Sequence, residues 1–136
     1  MKKLIILLAF ALPLSMMAQK APAAVTKAFA AKFPNVKKVD FDKEKSGEYE
    51  AEFKVNGVKM SANFTATGEW VETETAIPVA QLPAAVVAAI KKGHPNAKTV
   101  GAAKIETAKG MKYEADLKEG MKKSEVLYDA NGNLSK

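Results

Sequence analysis

Polar and apolar residues alternate from Glu48 to Val55, break at Asn56-Gly57, and alternate back from Val58 to Phe64. Successive side chains on a strand point to opposite faces, so this pattern predicts a half-buried antiparallel hairpin. Asn-Gly suits the two positive-φ positions of a type I′ turn and so fixes the register. Val55 is expected opposite Val58, Phe53 opposite Met60, Ala51 opposite Ala62, and Tyr49 opposite Phe64, on one apolar face. Glu52 then meets Ser61, and Glu50 meets Asn63, on the other.

Other elements follow on either side. Val25, Phe29 and Phe33 recur every fourth residue, which predicts a helix starting near Pro22. Pro34 disfavours helix in the residue before it, so the helix should end near Phe33. Residues 36–44 read as a strand with Val39 and Phe41 inward, joined to the central hairpin by Lys45-Ser46-Gly47. After a turn at Ala66-Thr67-Gly68, residues 69–75 read as a fourth strand. In that register Trp70 faces Phe64 and is expected to be buried, while Val71 falls beside Asn63 on the outer face.

The pattern then repeats. Leu82-Pro83-Ala84-Ala85-Val86 matches Ala21-Pro22-Ala23-Ala24-Val25, and Ile90, His94 and Val100 fall where Phe29, Phe33 and Val39 stood. Tyr113-Glu114-Ala115-Asp116-Leu117 matches Tyr49-Glu50-Ala51-Glu52-Phe53, and Tyr128 to Leu134 matches Phe64 to Trp70. The second main hairpin turns at Gly120-Met121. Two copies of helix-then-hairpins are therefore expected, about 20–78 and 79–136. One copy of about 60 residues would be marginal alone, so the two should share a core within a single domain over 19–136. The predicted fold is α+β: a tandem αβββ(β) repeat, an antiparallel sheet with both helices on one face and the reverse face bare.

Composition narrows the setting. Met1-Lys2-Lys3, the apolar run Leu4–Leu14 and Ser15-Met16-Met17-Ala18 describe a signal peptide over 1–18, cut near Ala18. The chain is thus expected in the periplasm or outside the cell, with no membrane span after cleavage. It has no cysteine, so neither a disulfide nor a cysteine-linked lipid is available. Nineteen lysines face fifteen acidic residues after cleavage, Lys2 and Lys3 going with the leader, and the excess lies beyond Val79. There is no arginine, which argues against nucleic-acid readout. With one histidine and no cysteine, zinc sites of the usual kind are excluded, and the sequence calls for no cofactor.

The candidate chemistry is electrostatic. A hairpin loop at 45–47 sets Glu44 against Glu48, Asp42 against Glu50, and Asp40 against Glu52. Like charges opposite one another destabilise a sheet, so six carboxylates here read either as a solvated face kept soluble by its charge or as a patch for a basic partner or a hard cation. Gly101 and Ala103 stand where Asp40 and Asp42 stood, so the second copy is not expected to duplicate the patch. Leu127 beside Glu114, and Val71 beside Asn63, would complete a mixed contact surface. His94 lacks a nucleophile partner and reads as a helix-end residue; Asp129-Ala130-Asn131-Gly132-Asn133 opens like a calcium loop but reads as a turn.

The segment Thr67 to Glu74, with Ile77-Pro78 and Leu82-Pro83-Ala84-Ala85-Val86, resembles the middle signature of PepSY-like, β-lactamase-inhibitor-like proteins. Phe33-Pro34, His94-Pro95 and Asp129 to Leu134 fit the tandem repeats of that family. The resemblance implies a small exported domain that binds or restrains a partner protein. The sequence reading is a non-enzymatic binding module for a protein with a basic surface. The alternative is a periplasmic structural or cation-binding protein with no defined macromolecular target.

Overall fold

A computed structural model describes residues 20–135; the expected leader and its cleavage point lie outside the described residues. Two helices, α1 (Ala23–Lys32) and α2 (Ala84–Gly93), accompany seven strands: β1 (Val39–Lys43), β2 (Tyr49–Val55), β3 (Val58–Phe64), β4 (Trp70–Ala76), β5 (Lys98–Thr107), β6 (Gly110–Glu119) and β7 (Lys122–Asp129). The fold is α+β, and the strands follow one another in an antiparallel sheet in chain order. The chain divides into two compact units, meeting at Thr75 and Ala76.

In the first unit α1 ends as its sequence dictates: the Phe33 N–H donates to the Phe29 carbonyl at 2.8 Å, and Pro34 follows. Val25 and Phe29 are buried from α1 against Tyr49, Ala51, Phe53, Ala62 and Phe64. Phe29 packs edge-on against Phe53, with ring centroids 5.0 Å apart. The β2–β3 register is the predicted one, Tyr49 opposite Phe64 through Val55 opposite Val58. Asn56 and Gly57 both take positive φ, +50° and +80°. At the 45–47 loop, the Glu44 N–H donates to Glu48 and Gly47 adopts φ +90°.

Two expectations fail in β4. Val71 is the extra residue of a β-bulge: Phe64 pairs with Trp70, but Asn63 pairs with Glu72. Val71 therefore does not lie opposite Asn63, and every later residue of β4 moves by one position. Thr73 becomes the inward residue, buried opposite Ala62, and accepts a 2.9 Å hydrogen bond from the Trp70 indole N–H. Trp70 itself is only half-buried, because it lies at the rim under the Lys32 ammonium, 4.0 Å from its ring.

The second unit repeats the plan. Val86 and Ile90 of α2 are buried with Leu82, Ala102, Ala115, Leu117 and Tyr128. These residues form a cluster distinct from that around Phe29, in place of one shared core. Each helix has ten residues, about 15 Å of length, and buries its apolar stripe against strands of its own unit. A bulge at Val100, between the pairs Thr99–Leu117 and Gly101–Asp116, leaves that valine half-exposed instead of inward like Val39.

Candidate functional site

The outer face of β1–β4 follows from register alone. Asp42, Glu50, Asn63 and Glu72 form one cross-strand row, and Asp40, Glu52, Ser61 and Glu74 form the next. Glu44 and Glu48 flank the loop beyond, where the Glu44 N–H bonds to the Glu48 carbonyl. The structure thus brings Asp40, Asp42, Glu44, Glu50, Glu52 and Asn63 together on one face, with Glu48 at the loop beside it. The Val71 bulge replaces that valine there with two carboxylates, Glu72 and Glu74. The adjacent apolar pair Trp70-Val71 breaks the alternation and is the sequence signal for this shift.

Glu50 is the centre of this face. Burial, then the neighbouring carboxylates of Glu52 and Glu44, push its carboxyl up from an ordinary 4.5 to about 7. A hydrogen bond with Ser61 opposes the shift, and one with Glu44 adds to it. Glu50 thus keeps its proton to about pH 7, so the row sheds part of its charge near neutrality.

The second unit departs from expectation. Glu114 and Leu127 do lie opposite one another, but Glu114 is buried, as are Ala103 and Ile105 on the same side of the strands. The face is not bare there. Glu114, Asp116 and Glu125 present carboxylate oxygens within 4.8 Å of one another, so this copy has its own smaller acidic cluster. β5 contributes none of it; β6 and β7 supply all three. Gly101 makes room: a Cβ there would collide with the Asp116 carboxylate. Burial raises the Asp116 carboxyl, and burial followed by the Asp116 charge raises that of Glu125. The alternation Glu114-Ala115-Asp116, parallel to Glu50-Ala51-Glu52, carries this cluster in the sequence.

His94 caps α2, with its N–H donating to the Ile90 carbonyl at 2.7 Å, in the place Phe33 takes on α1. In the 129–133 turn, Asp129 Oδ1 accepts from the N–H groups of Asn131 and Asn133, and Oδ2 from the Asn133 amide, each at 2.9 Å. Those bonds lower the Asp129 pKa and consume the oxygens a cation would need.

A duplicated α+β sheet domain with an acidic outer face defines the class of protein. The sequence matches the family described as "Putative beta-lactamase-inhibitor-like, PepSY-like" over residues 13–63 and 47–136, and the chain belongs to that family. No curated protein matches the sequence. Among solved structures, it is similar to a DUF2874 family protein from Bacteroides ovatus, with 24% identity and a TM-score of 0.74 over 87% of this chain and 86% of that one. A BLIP-like protein from Bacteroides fragilis shares 22% identity, with a TM-score of 0.68 over 87% of this chain and 86% of that one. A protein from Bacteroides eggerthii described as "putative periplasmic" shares 20% identity, with a TM-score of 0.76 over 87% of this chain and 88% of that one. At these identities the structures establish the fold. Among the described residues, no helix is long and apolar enough to cross a membrane.

Proposed function

We propose that this chain is an exported, non-enzymatic binding module that engages a basic surface on a partner protein through the outer face of β1–β4. The observation that carries the reading is the pair of rows Asp42–Glu50–Asn63–Glu72 and Asp40–Glu52–Ser61–Glu74. Carboxylates placed side by side cost stability in the free protein, and a cationic partner relieves that cost on binding. Membership of an inhibitor-like family supports restraint of the partner as the outcome. The leader pattern at 1–18, and the periplasmic description of the B. eggerthii neighbour, support export.

The test is capture from a periplasmic extract with the wild-type chain and with Asp42→Lys/Glu50→Lys. A partner retained by wild type and lost by the double variant supports the reading; retention unchanged by the variant overturns it.

A second reading, binding of a hard cation, is favoured by one observation: the convergence of Glu114, Asp116 and Glu125. Calcium calorimetry addresses it, and no heat at millimolar calcium ends it.

A further inference from the structure

The lysine excess of the second unit is gathered at one end. α2 closes with Lys91 and Lys92 in its last turn, and after a short connection β5 opens with Lys98. Lys98 lies opposite Lys118, and Lys118 lies opposite Lys123, forming a cross-strand row of three lysines. The turn beyond that row pairs Glu119 with Lys122 across Gly120-Met121. All six lysines are exposed, and Glu119 is the single carboxylate interspersed at that hairpin end. Met121, at the tip, is 96% exposed, more than any other large apolar side chain among the described residues.

Solubility does not require this arrangement. Lysines in a last helical turn favour the helix C-terminus, which accounts for Lys91 and Lys92. The row of three lysines has no account of that kind, since each like-charge pair weakens the sheet and the nearest carboxylates on its face, Asp116 and Glu125, lie one cross-strand row further from the tip. A flexible apolar side chain held out in water at the centre of the basic end has none either. Together they match an anionic bilayer surface: lysines at headgroup level are attracted by the lipid phosphates, and one apolar side chain enters the acyl boundary. A soluble acidic protein would satisfy the lysines but leave Met121 without a role.

We infer that this end of the second unit, Lys98–Lys118–Lys123 with Lys122 and Met121 at the hairpin tip, is a docking surface for a membrane rich in anionic phospholipid. It is independent of the acidic face proposed above. A module tethered this way would meet its partner at the membrane surface, with the bilayer fixing which end is anchored.

Vesicle co-sedimentation tests the inference, using the exported chain from Gln19 so that the apolar 4–14 run does not itself partition. Vesicles of phosphatidylcholine with about one-third phosphatidylglycerol should sediment the protein, and pure phosphatidylcholine should not. Lys98→Gln/Lys118→Gln/Lys123→Gln should lower partitioning about fivefold per lysine, on the order of a hundredfold in all. Met121→Ser, which leaves the turn glycine intact, should lower it about tenfold. The lysine variant should melt no lower than wild type, because it relieves the like-charge row; loss of binding with preserved melting excludes misfolding as the cause. Equal binding to neutral vesicles, no binding to anionic ones, or binding unchanged in both variants overturns the inference. Capture by soluble polyglutamate, with no vesicle binding, also overturns it and reassigns the surface to an acidic protein.

Discussion

Gly68 sits directly under the first turn of α1, so close that a Cβ on it would lie 2.6 Å from the Ala24 carbonyl oxygen. Gly132 stands in the same relation to the Ala85 carbonyl of α2, and both glycines have positive φ, +89° and +82°. Backbone cannot yield as a side chain can. Gly68→Ala and Gly132→Ala should therefore each cost about 2–3 kcal/mol, from conformational strain and displacement of the helix. Gly101→Ala is the contrast, because its Cβ would meet side-chain atoms of Asp116 and no backbone, the nearest being the movable carboxylate oxygen. That substitution should cost less than about 1 kcal/mol. Urea denaturation of the three variants checks the order, and an equal loss for all three would refute it.

Glu50 gives stability a pH dependence of definite sign. An ordinary glutamate ionises near 4.5, whereas Glu50 in the fold keeps its proton to about 7. Between those values the folded state holds more protons than the unfolded one, so stability falls as pH rises through the window. The span corresponds to roughly 3 kcal/mol at full effect, and to about 1 kcal/mol once solvent screening of this half-buried group is allowed for. Glu50→Gln should match wild type near pH 4 and exceed it by about that 1 kcal/mol at pH 8. Asp116 and Glu125, also raised, tilt both profiles the same way, and Asp129, lowered, opposes them. The difference between variant and wild type isolates Glu50; parallel profiles would refute the assignment.

The residues that made the fold readable are those with one conformational solution. Asn56-Gly57 admits one tight turn, and from it the pairing Tyr49–Phe64 and the carboxylate pairs Asp40–Glu52 and Asp42–Glu50 follow by counting. Counting fails where a strand takes in an extra residue. Val71 and Val100 are ordinary β-formers; the apolar pair Trp70-Val71 hints at the first bulge, but the pairing partners on the neighbouring strand decide that each is skipped. The two misplaced valines, and the unforeseen Glu72 and Glu74, share that cause. Separate cores around Phe29 and Val86 were hidden for another reason. Periodicity identifies the buried stripe of a helix but not how far the stripe reaches.

Lys32 and Trp70 offer a local probe. The ammonium lies 4.0 Å from the indole ring centroid, in the last turn of α1. An attraction of this kind at a partly exposed site is worth about 0.5–1 kcal/mol. Lys32→Gln should lose that amount and shift the emission of the single tryptophan. Lys32→Arg should preserve both, since guanidinium stacks on indole and still suits the helix C-terminus. Unchanged emission in the glutamine variant would mean the contact is absent in solution.

The bulge itself can be tested by deletion. Removing Val71 joins Trp70 to Glu72, and Trp70 already faces Phe64 while Glu72 already faces Asn63. The shortened strand can therefore pair regularly with every later residue on its present face, Thr73 inward and Glu74 outward. Removing Ser61 from β3 is a different matter. No bulge absorbs that loss, so either Met60 or Ala62 must turn to the wrong face. Deletion of Val71 should cost no more than about 2 kcal/mol, from lost local twist and one half-buried side chain, whereas deletion of Ser61 should leave the first unit unfolded. Near-ultraviolet circular dichroism of the single tryptophan follows both. If the Val71 deletion unfolds the unit as readily as the Ser61 deletion, the outward placement of Glu72 and Glu74 is wrong, and the acidic face loses its fourth strand.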